Sequence, residues 1–218
     1  MSGCCPVIHC DMSARLYYVH DPMCSWCWGF EKTRKRLLDK LPSSIEVVRL
    51  LGGLAPDTRE PMQGQMREYL RQTWHRIQQR IPGTEFNFDF WTVCTPRRST
   101  WPACRAVIAA RGQGGEYDER MTRAIQEAYY LRAQNPSDEA VLIALADELA
   151  LDSGRFVDTL RAPATRAELD AEMRRGRAMN ATSFPSLVLE IDGACSPVPI
   201  DYTNADAMLE TIQMVMEP

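Results

Sequence analysis

Strand-like sequence is confined to the two ends of this 218-residue chain, and that separation limits its possible folds more than any other feature. Near the start, Ala14-Arg15-Leu16-Tyr17-Tyr18-Val19-His20 is rich in aromatic and β-branched residues and stops at Asp21-Pro22. Ile45-Glu46-Val47-Val48-Arg49-Leu50-Leu51 is a mostly apolar run bounded by Pro42-Ser43-Ser44 and Gly52-Gly53. Both read as strands, the second as one covered on both faces. Between them Cys27, Phe30, Leu37, Leu38 and Leu41 recur at roughly helical spacing until Pro42 ends the pattern. Strand character returns only at Ser186-Leu187-Val188-Leu189-Glu190-Ile191, which Asp192-Gly193 joins to residues 194–200 as a hairpin. A sheet in this protein must therefore bring the two ends of the chain together.

The middle, from about Pro56 to Asn180, is patterned for helices. Met66, Leu70, Thr73, Ile77 and Ile81 form one apolar stripe, and Met121, Ala124, Ile125, Ala128 and Leu131 another. Ser137 reads as the N-cap of a helix carrying Val141, Leu142, Leu145 and Leu149, and Thr165 with Glu168 as a capping box for the last of five or six helices. After the hairpin, Thr203 with Asp206 caps a final helix whose buried face holds Met208 or Leu209, Ile212 and Val215. The expected order is β-α-β, helical insert, β-β-α. This is an α/β fold in which residues 12–55 and 180–218 build one domain, residues 56–179 an all-helical insertion and residues 1–11 a flexible leader.

A hydrophobic fraction of 45% and a charged fraction of 25% match a folded globular chain. The net charge is −4 and the basic residues are scattered, which argues against a nucleic-acid partner. The longest uncharged stretch, residues 178–189 with its apolar end at 181–189, is too short to span a membrane. The first eleven residues contain no Lys or Arg and no apolar core of signal-peptide length, so the expected compartment is the cytoplasm. Eight cysteines without an export signal then favour reduced, metal-bound or catalytic roles over a disulfide framework.

Among the cysteines only Cys24 and Cys27 have the C-x-x-C spacing, and they lie where a strand gives way to a helix, in DPMCSWCWGF. The unpaired N–H groups and positive dipole end of that helix favour a thiolate at Cys24, the candidate nucleophile. Cys27 lies almost one turn further on and within reach of Cys24, as a resolving thiol must be. Two other readings stay open: half of a zinc site, or two cysteines packed in a core. No second ligand pair has zinc spacing, since the histidines are His9, His20 and His75 and nine residues separate Cys94 from Cys104, so no metal is assigned. His20 is either an electrostatic tuner of the pair or, the plainer reading, a strand-end residue bonding locally.

Met23, Trp26 and Trp28 place soft and aromatic groups near the nucleophile, as a docking surface or, for Trp28, as core. Cys94, Cys104 and Cys195 read as buried small hydrophobes. Cys4, Cys5 and Cys10 have three readings: a metal site with His9, an accessory disulfide, or a leader without function. Pro185, in Ser183-Phe184-Pro185-Ser186, is either an ordinary trans proline opening a strand or a cis proline that exposes the Phe184 backbone beside Cys24 for pairing with a substrate segment.

The redox helix, the helical insertion and the proline-led β-β-α together resemble the DsbA-type branch of the thioredoxin fold, from about Met12 onward. VHDPMCSWCWGF and TSFPSLVLE are most similar to its cytoplasmic FrnE-like members, a branch described in terms of protein-disulfide isomerase activity. The resemblance implies that Cys24 and Cys27 are the redox pair, Ser25 and Trp26 the dipeptide that tunes it and Pro185 the cis-proline, with the insertion above the redox end as a lid. It implies a thiol–disulfide oxidoreductase or isomerase acting on protein or peptide thiols, with no bound cofactor and with glutathione as a conceivable co-substrate. DsbA itself has Pro-His between its cysteines, so strong oxidant behaviour does not carry over to Ser25-Trp26. Two alternatives remain: a glutathione-dependent isomerase or transferase of the kappa-class type, which resembles the same split architecture without the cysteine pair, and a metal-binding or interaction module.

Overall fold

Residues 14–217 are described by a computed structural model. In it the two ends of the chain form one four-stranded sheet with strand order β2-β1-β3-β4. Strand β1 (Ala14–His20) and strand β2 (Ile45–Leu51) run parallel, which requires the crossover that helix α1 (Ser25–Leu38) supplies. Strand β3 (Ser186–Ile191) lies antiparallel to β1 on its other side, with Tyr18 opposite Leu187 and Leu16 opposite Leu189. Strand β4 (Ala194–Val198) closes the hairpin. Asp192 and Gly193 both have positive φ, at 48° and 85°, the geometry a two-residue hairpin needs and Asp-Gly readily adopts.

Seven helices occupy the middle of the chain: α2 (Gly64–Arg80), the single turn α3 (Phe90–Val93), α4 (Trp101–Arg111), α5 (Tyr117–Tyr130), α6 (Glu139–Glu148), α7 (Ser153–Arg161) and α8 (Pro163–Ala178). Helix α9 (Ala205–Met216) follows the hairpin. One face of the sheet, carrying Leu16, Tyr18, Leu187 and Leu189, packs on Phe30 and Leu37 of α1 and on Met208 and Ile212 of α9. The other face carries Tyr17, Val19, Leu50 and Val188. The insertion has its own core around Trp74, whose ring lies 4.7–5.9 Å from those of Phe86, Phe88, Phe90, Trp91, Tyr129 and Tyr130. Each fully buried aromatic or aliphatic side chain of this kind contributes about 1.5–3 kcal/mol through removal of apolar area from water.

Several local expectations are corrected. Strand β2 is an edge strand, and Glu46 and Val47 are exposed rather than covered. The rest of that edge is held by the insertion: Arg49 pairs with Asp118 of α5 at 2.5 Å, and the Leu51 N–H donates to Glu172 of α8 at 2.7 Å. Arg111 of α4 joins the same network by pairing with Asp118, Glu168 and Glu172. Covering part of the edge with charged side chains shortens the stretch of ladder another chain could extend.

The expected caps also move, because other acceptors, near and far in the chain, claim the hydroxyls. Ser137 donates to the Ser99 carbonyl, and Asp138 stands at the head of α6. Thr165 donates to the Thr159 carbonyl and Glu168 pairs with Arg111, while α8 begins at Pro163. Thr203 donates to Asp201, and Asn204 caps α9 by accepting from the N–H groups of Asp206 and Ala207. Val215 is exposed rather than buried. No helix among the described residues is long and apolar enough to cross a membrane.

Candidate active site

Cys24 is the N-cap residue of α1, with extended backbone (φ −81°, ψ 115°) and no side-chain cap of its own. Its sulfur therefore sits at the helix end where backbone N–H groups are unpaired. Only 6% of Cys24 is exposed, and its thiol donates to the Phe184 carbonyl at 3.4 Å. Cys27 is completely buried. Both cysteines are free thiols. Burial, then a hydrogen bond with Cys24, then the charge of Cys24, push the Cys27 thiol well up from its ordinary range. The two sulfurs thus form a close pair of unequal character, one nearly covered at the helix end and one fully sealed.

The Phe184–Pro185 peptide is cis, and Phe184 reaches over the β2 end of the sheet. A Cβ added at Gly52 would lie 2.1 Å from the Phe184 ring, so this close approach requires glycine. Two concavities flank the Phe184–Pro185 pair. One, of about 240 Å³, is lined by Gly52, Gly53, Met173, Arg177 and Phe184. The other, of about 500 Å³, is lined by Asn180, Pro185, Cys195 and Tyr202. Cys195 is exposed in this groove, contrary to its expected burial, because β4 is an edge strand.

Trp26 packs at 5.0 Å on Tyr202, and the Arg80 guanidinium lies 5.8 Å from the Trp26 ring and 5.4 Å from that of Tyr202. These contacts fix Trp26 beside the pair and place a cation there. Ser25 is buried. Met23 and Trp28 belong to the core of the insertion. Trp28 stacks on Tyr130 and donates to the Glu85 carbonyl at 3.0 Å, in keeping with its reading as core.

His20 does not bond locally. Its ring is 1% exposed, stacks face to face on Tyr18 at 4.7 Å, and leaves both nitrogens without a hydrogen-bond partner. Burial, with Arg49, Arg34 and Arg111 adding to it, pushes its pKa well below the usual histidine range, so the ring is neutral.

Sequence reasoning missed Asp21. Its carboxylate is fully buried, accepting from the Met23 N–H at 2.8 Å, the Leu54 N–H at 2.7 Å and the Thr100 hydroxyl at 2.6 Å, with the Cys104 thiol at 3.5 Å. Burial raises its pKa against the opposing pull of these hydrogen bonds. The Asp21 charge in turn raises Cys27 and Cys104. The signal was present in Asp21-Pro22-Met23-Cys24, an acidic residue three positions before the first cysteine. Its partners Thr100 and Cys104 come from the insertion. Among the described residues no three His, Cys, Asp or Glu side chains are grouped to hold a metal ion. Cys4, Cys5, His9 and Cys10 lie outside the described residues.

A family model described as Thioredoxin matches residues 17–193. Among curated proteins, the chain is similar to the ClpXP adapter protein SpxH of Halalkalibacterium halodurans, 27% identical over 177 residues that cover 79% of this chain and 57% of that protein. The protein of the same name from Bacillus subtilis (strain 168) is 24% identical over 180 residues, covering 82% of this chain and 59% of its own length. The chain thus spans under three fifths of these relatives. Among solved structures, a candidate protein disulfide isomerase from Nitrosomonas europaea is 25% identical with a TM-score of 0.81, covering 94% of this chain and 98% of that one. The cytosolic disulfide reductase DsbM of Pseudomonas aeruginosa shares the fold at 23% identity and a TM-score of 0.74, covering 93% of this chain and 98% of that one.

Proposed function

Since the chain belongs to the thioredoxin family, we propose that it is a thiol–disulfide oxidoreductase acting on protein or peptide substrates through Cys24 and Cys27. The observation that carries this reading is the unequal dithiol at the head of α1: Cys24 against the Phe184 carbonyl, Cys27 buried behind it.

In the reductive direction the Cys24 thiolate attacks one sulfur of a substrate disulfide. A Cys24–substrate disulfide forms, the substrate S–S bond breaks and one substrate thiolate leaves. Cys27 then attacks Cys24 Sγ, the mixed disulfide breaks, and the second substrate thiolate departs with the proton Cys27 gives up. The substrate gains two electrons and the pair becomes a disulfide. The reverse sequence inserts a disulfide, and transfer followed by return isomerises one.

The order of attack follows from the surroundings. Two of the influences that hold Cys27 protonated, the hydrogen bond and the charge, come from Cys24 itself. Once Cys24 is tied up in a mixed disulfide its charge is gone, and Cys27 becomes easier to deprotonate at the step that needs it. Substrate enters along the concavities beside Phe184 and Pro185.

Equilibration of purified protein in glutathione buffers, with alkylation and mass spectrometry of Cys24 and Cys27, tests the proposal and tests glutathione as the recycling thiol. A reversible Cys24–Cys27 disulfide above about −200 mV marks an oxidant or isomerase and one below about −270 mV a reductant. No disulfide at any ratio overturns the reading. A second reading, a ClpXP adapter, is favoured by the names of the curated relatives. Partner binding that survives replacement of both Cys24 and Cys27 by Ser would support the adapter over the enzyme.

A further inference from the structure

The largest cavity described for the molecule, about 930 Å³, lies in the insertion and is not part of the dithiol site. Five arginines line it: Arg59, Arg97, Arg105, Arg161 and Arg166. Their carboxylate partners are fewer. Arg105 binds Asp57 through two bonds of 2.9 Å, and Arg166 shares that same carboxylate at 3.4 Å. Arg97 pairs with Asp138, and Arg161 with Glu139 at 2.5 Å. Arg59 has no carboxylate partner among the described residues. Five guanidinium groups thus outnumber the three carboxylates bonded to them, with Asp158 acting on Arg161 without a bond, an excess of positive charge in a concavity of a chain whose net charge is −4.

Two further features add to the excess. The first turns of helices α4 and α8 lie at the cavity wall, through Pro102 and Pro163, and neither has an acidic residue in its first turn. Their positive dipole ends are therefore not offset by the side chains that usually do so. The walls are also partly protected from water: the Arg105 and Arg97 side chains are only 17% and 23% exposed. A concave, partly desolvated surface focuses such a field, and guanidinium groups offer paired N–H donors matched to carboxylate and phosphate oxygens. A cavity of this volume accommodates a ligand of a few hundred daltons.

We propose that this cavity is a binding site for a small polyanion, a molecule carrying two or more phosphate or carboxylate groups. One group bridges Arg59 and Arg166 at the open side, and a second meets Arg97 and Arg105 deeper in. The site is separate from the dithiol, although both are anchored on the same short segments. The Thr58 N–H donates to the Ser99 hydroxyl at the cavity wall, and the next residue, Thr100, holds Asp21.

The test is isothermal titration of the full chain with inorganic pyrophosphate and, separately, with citrate, at ionic strength held constant and with acetate as the single-charge control. We expect saturable one-to-one binding of at least one probe and none of acetate; which probe binds tells phosphate from carboxylate chemistry. Arg59→Ala should weaken it several-fold and Arg59→Ala/Arg166→Ala at least tenfold, whereas Arg123→Ala, on the distant α5, should leave it unchanged. Both Arg59 and Arg166 are exposed, so these variants should fold, and the single variant serves if the double one does not. Cys24→Ser protein should bind equally well, which separates this proposal from the redox one. Absence of saturable binding to either probe, or binding indifferent to Arg59, overturns it.

Discussion

The sheet and the helical insertion meet at the redox loop and support it by different physics. On the sheet side the support is backbone geometry: Cys24 heads α1 and its thiol meets the carbonyl of Phe184 at the start of β3. On the insertion side it is charge and burial: Thr100 and Cys104 of the α4 region hold the Asp21 carboxylate, and Trp28 is stacked into the aromatic core on Tyr130. The two sulfurs are therefore governed by different neighbours. The sheet sets the Cys24 sulfur at the head of α1 against the Phe184 carbonyl, while the insertion holds the acidic neighbour Asp21 away from water. The insertion is a structural partner of the loop.

The largest expected effect breaks the sheet side. Cys24→Ser should reduce disulfide exchange to the buffer rate, whereas Cys27→Ser should keep the first step and accumulate mixed disulfide, visible as an added mass on intact protein. Exchange that is unchanged in Cys24→Ser would mean that the presented sulfur is not the reacting one. Next in size is a break on the insertion side. Trp74, 1% exposed at the centre of the aromatic cluster, should cost about 3–5 kcal/mol on truncation to Ala. Denaturant unfolding reads that loss. Because Trp28 stacks on Tyr130 and Tyr130 meets Trp74 edge to face, resolution by Cys27 should also slow in the variant. A destabilised protein with normal resolution would separate the loop from the core.

A smaller effect sharpens the contrast between the sulfurs. In Cys24→Ser protein the hydrogen-bonded thiol and its charge are gone, so the Cys27 titration should move down from its raised position. Adding Asp21→Asn removes a second negative charge and should move it down again. Thiolate absorbance against pH follows both steps. If the second substitution left the titration in place, Asp21 would be a purely structural acceptor for the Leu54, Met23 and Thr100 donors.

The same contrast explains what could be read from sequence. Strands β1, β2 and β3, the Asp192-Gly193 hairpin and the redox helix were legible because each is written locally, in β-branched runs, a turn dipeptide and a spacing. Caps at Ser137, Thr165 and Thr203 were misplaced because hydroxyls that suit a helix end were claimed by Ser99, Thr159 and Asp201. The covered β2 was misread because the run looks apolar while its place at the sheet edge is decided by β3 pairing with the far side of β1. Asp21 was missed for a stronger reason. Thr100 lies 79 positions away from it, and no pattern within the loop records that partner. Long-range charge and hydrogen bonding, the physics of the insertion side, leave the faintest trace in sequence.

His20 offers the finest test, since it ends β1 on the sheet side while the cations that disfavour its protonation come from both sides: Arg49 of β2, Arg34 of α1 and Arg111 of α4, with Tyr18 stacked on its face. Its folded pKa is depressed, so the folded ring refuses a proton that the unfolded chain accepts. The resulting stability is present above the unfolded value of about 6.5 and is lost as pH falls below it, at no more than about 1.4 kcal/mol per pH unit. His20→Phe keeps a flat ring against Tyr18 and removes two nitrogens that have no partners, so at pH 8 its stability should be within about 1 kcal/mol of the parent. Below pH 6 the variant should be the more stable of the two, and thermal melts across pH 5 to 8 read the crossover. Parallel pH profiles would show that the ring takes its proton in the folded state, against both its burial and the nearby Arg49, Arg34 and Arg111 charges.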